Sequence, residues 1–404
     1  MLSHPASSGC RLWLPVLTLT LCVFVFNTSE FIPIGLLTDI SRDFGISEAR
    51  TGWLVTLYAW VVALLSLPLM LLASRLECRR LMMLILGLFV MSHALSAVAE
   101  NFWVLLISRL GVACSHAIFW SVVSPLAVEV APRNRRSTAL SLVVAGSSVA
   151  MIAGLPLGRV LGLYLGWRMS FLAIGLIATV ALICLWLFFP RVESRQAVAI
   201  GRVPALLTQP PLLVIYVLTP LIMTGNFAVY SYIEPFLAQV AGLPADLISW
   251  ILVAYGGVGM LASWLFSHHS DRHTVRLMQA AVFGTTLALL LLKSAVASPF
   301  TLFALCLGWG FAVTLYNLVF QSAIITAAPT GTAVAMSVFS GIYNVGIGTG
   351  ALVGGLVSTH LSIADIGYVG GGIAMTASLF CLFAVLPLYR RLFADPRDPH
   401  QIQV

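Results

Sequence analysis

The chain has 404 residues, 60% of them hydrophobic and only 9% charged, with a mean hydropathy of +1.02 and a formal net charge of +7. A water-soluble domain carries about 25% charged residues, so soluble enzymes, nucleic-acid binders and secreted disulfide scaffolds are excluded as leading readings. The chain reads as an integral membrane protein. Its seven cysteines are scattered singly with no CxxC pair, which predicts small buried hydrophobes rather than disulfides or a zinc site. No P-loop, Gly-x-Ser-x-Gly elbow or His-Glu-x-x-His motif occurs, so neither a metal, nor a cofactor, nor enzymatic chemistry is expected.

A membrane-crossing helix needs about 20 mostly apolar residues between turn formers or charges. In chain order such segments fall at 12–38, 50–72, 81–99, 102–128, 137–161, 169–190, 211–237, 247–267, 275–294, 300–325, 333–359 and 364–388. Arg11 and the apolar run after it resemble a signal peptide, but the run continues past Phe26 without a small-residue cleavage site. It reads instead as the first span. The longest break, 191–210, carries Arg191, Glu193, Arg195 and Arg202 and reads as a linker between two six-helix halves, 1–190 and 211–404.

Basic residues orient the spans. With the N-terminus in the cytoplasm, one side collects fifteen arginines, among them Arg75, Arg79, Arg80, Arg272 and Arg391. The other side collects Arg42, Arg50, Arg168 and Lys293, while Arg109 and Arg159 lie within spans. The positive-inside rule therefore places both termini in the cytoplasm, and the basic excess reads as a topology and lipid-headgroup signal rather than a nucleic-acid surface. Shifting the sequence by 197 residues pairs Gly45 with Gly242, Trp53 with Trp250, Tyr58 with Tyr255, Arg75 with Arg272 and Gly111 with Gly308. A parallel repeat of this kind predicts two halves that rock about a central site, not a static pore.

Three motifs sharpen the class. Between the second and third spans stands Ser74-Arg75-Leu76-Glu77-Cys78-Arg79-Arg80, and between the eighth and ninth Ser270-Asp271-Arg272-His273 opens a short loop. The fifth span carries Gly154-Leu155-Pro156-Leu157-Gly158-Arg159, where small residues allow close helix approach and Pro156 bends the helix. The fourth carries Arg109-Leu110-Gly111. A charge in a span is costly, on the order of 3 kcal/mol or more, so Arg109 should face the interior, either tying helices together or moving protons.

These segments resemble the signature motifs of the major facilitator superfamily over nearly the whole chain. In the first copy of the loop motif the family's aspartate and glycine are absent, while Asp271 and Arg272 keep the pair. The fifth-span segment is similar to the antiporter motif of proton-coupled exporters, with Leu155 where a glycine usually precedes the proline. Phe26-Asn27-Thr28-Ser29-Glu30-Phe31, Ser115-His116-Ala117-Ile118-Phe119-Trp120, Tyr230-Ser231-Tyr232-Ile233-Glu234-Pro235 and Gly341-Ile342-Tyr343-Asn344 are similar to bacterial sugar efflux transporters. The resemblance implies a twelve-helix, all-α membrane fold. It also implies a monomer of the bacterial inner membrane that exports arabinose-like sugars and thiogalactosides in exchange for protons, or hydrophobic drugs or nucleosides on the same scaffold.

At 1.5 Å per residue His116 lies about 21 Å along its span from Phe102, near the bilayer middle. Asn27, Asn317 and Asn344 fall at comparable depth, with Glu30 a turn further out. Asn27, Glu30, His116, Asn226, Tyr230, Asn317, Gln321 and Asn344 then supply donors and acceptors to one level, and Trp120, Tyr232 and Tyr343 supply aromatic faces for a sugar. Glu30 and His116, with Arg109, form the expected proton-coupling set. Glu234, before Pro235, reads as a gating or helix-break residue.

Overall fold

The computed structural model describes residues 9–73, 76–132, 135–191, 208–328 and 332–394. Among these, twelve helices are long and apolar enough to cross a membrane: Leu12–Gly35, Glu48–Leu69, Cys78–Ala97, Phe102–Trp120, Ala145–Leu165, Trp167–Phe188, Pro210–Gln239, Ala245–His269, His273–Ala295, Pro299–Ala327, Val334–His360 and Ile363–Arg391. Apolar runs fold this way because a helix pairs its backbone donors and acceptors within the segment, which no irregular structure in lipid can do. Large apolar side chains such as Leu84, Ile107, Leu287 and Phe300 point outward, as lipid contact requires.

The helix ends follow local chemistry. Asn101 accepts from the Trp103 and Val104 N–H groups at the start of the fourth span, and prolines open the seventh and tenth, where a missing N–H costs nothing. Gly45 and Gly242, paired by the sequence repeat, both take φ 63° shortly before the second and eighth spans. That left-handed conformation suits a residue without Cβ.

Of the differences from the sequence expectation, three stand out. The first helix stops at Gly35, and a separate amphipathic helix, Leu37–Phe44, follows. The buried Arg159 guanidinium donates to the Gly35 carbonyl, satisfying one of the orphan acceptors at that helix end. The fifth span is not one regular helix: Arg136–Val149 passes into a π-helical segment, Ala150–Gly154, and then into Leu155–Leu165. Pro156 has no N–H to donate back into that turn, which accounts for a widened turn at this place. The third difference is the expected loop between the eighth and ninth spans, where helix continues from Gly259 to Ala295 with non-helical backbone only at His273 (φ −131°, ψ 21°). A straight helix of that length would run about 55 Å, more than a whole bilayer, so the chain must redirect at His273.

The described residues form two compact units, one drawn from Met1–Phe44 and Leu64–Val198, the other from Gly45–Ala63 and Ala199–Val404. Residues 45–63 thus pack with the second unit although they belong in sequence to the first six spans. Of the expected linker, 192–207 lies outside the described residues.

Within the first unit the fifth span lies on the first along Gly146, Gly154, Gly158 and Gly162, which face Thr20, Thr28, Ile32 and Leu36. A Cβ on Gly158 would stand 2.0 Å from Ile32 Cδ1, so the small residues let the two helices approach closely and a larger one here would have to displace the Ile32 side chain. Within the second unit Gly346, Gly350 and Gly354 seat the eleventh span on Met223, Thr224 and Ala228 of the seventh.

Candidate functional site

In the first unit a buried polar cluster spans the first, third and fourth helices. Arg109 is fully buried; its Nη1 donates to Ser29 Oγ at 3.1 Å, and its guanidinium carbon lies 5.9 Å from the Phe171 ring centre. Ser29 Oγ is also 2.9 Å from His93 Nε2, and His93 Nδ1 is 3.0 Å from the Phe89 carbonyl. Next along the chain from Ser29, the Glu30 carboxyl lies 3.9 Å from His116 Nε2, with both side chains largely buried. That separation is within ion-pair range and beyond a hydrogen bond. The Arg109 charge acts on Glu30 and on both histidines. The cluster is walled by Phe26, stacked 4.0 Å on Phe119 and 4.3 Å from Phe89. Trp120 lies 5.9 Å from the His116 ring. Asn27 reaches across to the fifth span, donating to Ser147 Oγ at 3.0 Å as well as to its own helix at Val23.

The second unit holds a different cluster, aromatic and neutral. Trp309 Nε1 donates to Asn226 Oδ1 at 2.8 Å, and both residues are buried. Tyr230 and Tyr255 stack at 5.0 Å and each meets Trp309 edge-on. Asn317 Nδ2 donates to Tyr343 Oη at 3.3 Å and to the Val313 carbonyl. Asn344 donates to the Ser340 carbonyl, while its buried Oδ1 has no hydrogen-bond partner. Gln321 is half-buried on the tenth span, one turn beyond Asn317. Tyr232 is buried away from that group, its ring against Gly354 and its hydroxyl beside Gly52 and Gly355. Glu234 is buried in the short helix Ile233–Gln239.

The motif residues divide. Arg79 Nη2 donates to the Trp186 carbonyl at 2.5 Å, tying the third span to the sixth, and exposed Arg80 lies 3.6 Å from Glu77. Arg75 lies outside the described residues, as do the side chains of Asp271 and Arg272. Gly154 and Gly158 form the close seam on the first span, and Pro156 is buried immediately after the π-helical turn.

Twelve spans with this pair of buried polar clusters describe a carrier, and the sequence matches the family model for the Major Facilitator Superfamily over residues 19–334. The chain belongs to the Major Facilitator Superfamily. Its fold is that of solved members. A bacterial homolog to the human lysosomal transporter Spinster, inward-facing and unoccupied, matches with a TM-score of 0.75 at 16% identity, covering 96% of this chain and 98% of that one. The occupied form of that homolog gives 0.69 at 19% identity, covering 96% of each chain. The peptide transporter POT, in complex with alafosfalin, gives 0.71 at 13% identity, covering 94% of this chain and 95% of that one. At such identities the likeness speaks to the fold alone. As a superfamily member this is a multi-pass membrane transporter that binds a small-molecule substrate, and such carriers are generally not enzymes.

Sequence reasoning passed over His93, Ser29, Tyr255 and Trp309. His93 had a usable signal, since an ionisable residue inside a span is a functional candidate by default. Ser29 and Trp309 had none, because a serine or tryptophan in an apolar helix is ordinary.

Proposed function

We propose that this superfamily member exports small sugars, of the arabinose and thiogalactoside kind, across the bacterial inner membrane in exchange for protons by alternating access. The observation that carries the reading is Glu30, a largely buried carboxyl 3.9 Å from His116 and within the field of fully buried Arg109. A carboxyl beside a histidine and within the field of a buried cation can exchange a proton as its surroundings change. One proton moved down 100 mV supplies about 2.3 kcal/mol, enough for roughly a fifty-fold gradient.

Asn27, Glu30, His116 and Trp120 from the first unit, and Asn226, Tyr230, Tyr232, Asn317, Gln321 and Asn344 from the second, make up the proposed substrate set. Asn344 supports the sugar reading most directly: its buried amide oxygen lacks a hydrogen-bond partner, and a substrate hydroxyl would supply one. Arg75, Arg79, Arg80, Asp271 and Arg272 are proposed to hold helix ends on the cytoplasmic side. Gly154, Pro156 and Gly158 are proposed to form the flexible seam of an antiporter. Both termini are proposed to be cytoplasmic and the working unit a monomer.

The stacked Tyr230, Tyr255 and Trp309 rings favour a second reading, with nucleosides or hydrophobic drugs as cargo. Everted vesicles separate the two. Proton-driven uptake of labelled arabinose or isopropyl thiogalactoside, lost in Glu30→Gln while exchange persists, is the expected result. Uptake of nucleosides or dyes alone would transfer the cargo to the second reading. Uphill sugar transport by Glu30→Gln would remove Glu30 from the coupling role.

A further inference from the structure

The polar chain behind Glu30 has a direction. The Phe89 carbonyl only accepts, so the His93 Nδ1 lying 3.0 Å from it carries the ring proton. In that tautomer Nε2 accepts, and the Ser29 hydroxyl 2.9 Å away donates to it. The Ser29 oxygen in turn accepts from Arg109 Nη1 at 3.1 Å. Donation therefore runs from Arg109 to Ser29, from Ser29 to His93, and from His93 to a backbone carbonyl. The order requires a neutral imidazole. On a protonated ring Nε2 would also donate, leaving one hydroxyl oxygen between two cationic donors.

Packing holds His93 in this role. Its ring stacks on Phe89 at 4.2 Å and lies 6.2 Å from Phe171, and a Cβ on Gly175 of the sixth span would stand 3.0 Å from His93 Cβ. Of the elements around it, the first span contributes Ser29, the fourth contributes Arg109, and the sixth contributes Phe171 and Gly175. Glu30, next to Ser29 in the chain, faces Arg109 and His116, both from the fourth span.

We propose that His93 is a positioning residue for proton coupling: it orients the Ser29 hydroxyl, Ser29 fixes the Arg109 guanidinium, and Arg109 sets the field in which Glu30 gains and loses its proton. The proposal rests on the proton-coupled reading above and names a residue that neither touches substrate nor carries the transported proton.

The test needs no substrate. Infrared difference titration of the purified full-length protein in lipid follows the carboxyl band that Glu30→Gln removes. His93→Phe keeps the ring stack and deletes the acceptor, Ser29→Ala deletes the link, and His93→Gln keeps an acceptor at the Nε2 position. The first two should each move the midpoint of the Glu30 band by about one pH unit, equivalent to a tenfold change in proton affinity. His93→Gln should restore it, and the double variant should move it no further than Ser29→Ala alone. Wild-type midpoints in both Ser29→Ala and His93→Phe, or a midpoint moved in His93→Phe and equally in His93→Gln, would reduce His93 to packing and overturn the proposal. If no band lost in Glu30→Gln titrates in the wild type, the proton-coupled reading itself falls and takes the proposal with it.

Discussion

The fifth span rests on the first through Gly146, Gly154, Gly158 and Gly162, and the eleventh on the seventh through Gly346, Gly350 and Gly354, yet over most of their length the two seams touch different atoms. Added to Gly154, Gly158 or Gly162, a Cβ would meet Thr28 Oγ1, Ile32 Cδ1 or Leu36 Cδ2, all ends of side chains. On Gly346, Gly350 or Gly354 it would meet Met223 Cβ, the Thr224 carbonyl or the Ala228 carbonyl. No rotamer change withdraws those. From Gly154 to Gly162 the first seam can yield by turning a side chain, and it adjoins a π-helical turn and Pro156, whereas Gly146 abuts the Thr20 carbonyl; the second seam can yield only by moving a helix. The polar clusters differ in the same sense. At the repeat offset of 197 residues that pairs Gly111 with Gly308, Arg109 falls on Cys306 and His116 on Val313. One unit concentrates ionisable groups beside an adjustable seam. The other concentrates neutral rings and amides beside a rigid one.

The largest expected break in this comparison comes from the charges. Arg109→Ala strands the groups arranged around a buried cation and should destabilise by about 3–5 kcal/mol, whereas Cys306→Ala at the paired position should cost about 1 kcal/mol. Thermal unfolding of the purified variants measures both, and equal losses would erase the asymmetry of the clusters.

The seams come next. Gly350→Ala should destabilise by about 1–3 kcal/mol because the new methyl meets fixed backbone, and Gly158→Ala by less than about 1 kcal/mol because Ile32 can rotate away. The same melts decide it, and the reverse order would mean that the first seam is the stiffer one.

A third variant sharpens the neutral cluster. Trp309→Phe keeps the aromatic packing but leaves Asn226 Oδ1 without its donor, for an expected loss of about 1–2 kcal/mol. In an Asn226→Leu background the same change should cost much less, and additivity in the double variant would show that the hydrogen bond carries none of the loss.

The smallest effect concerns Asp39, in the short helix after the first span. Burial pushes its carboxyl above the ordinary range, and Arg159 and Arg42 offset part of that rise. The folded state therefore holds this proton more tightly than the unfolded chain, and stability falls as pH rises through the titration. Asp39→Asn should raise the melting temperature slightly at neutral pH, solvent screening keeping the effect small, and the gain should fade on acidification. A gain that persists in acid would come from something other than the charge.

Much of this fold was legible as sequence because lipid leaves few choices: an apolar run of the right length must be a helix, and turn formers mark its end. The exceptions arise where a distant side chain decides. Arg159 ends the first helix from 124 residues away, and nothing near Gly35 announces it. Glu30, His116 and Arg109 were legible because ionisable groups in spans are rare. Their geometry was not, since a hydrogen-bond partner of Arg109 is a serine, common in any membrane helix. Asn226 was legible as polar, but its engagement with Trp309 depends on how the seventh and tenth spans meet, which spacing along one helix does not encode.

The helix Trp53–Ala73 carries its own consequence, because its first part, through Ala63, packs in the second unit and the remainder in the first. A nick in the region 192–207 would not yield two self-sufficient fragments. The N-terminal fragment would present residues 45–63 without the surface they cover, and the C-terminal fragment would present that surface bare. Co-expressed, the two pieces should reassemble by complementation, with this segment as the mortise joint. The C-terminal piece expressed alone should be rapidly degraded, and supplying residues 45–63 on any anchored helix should protect it.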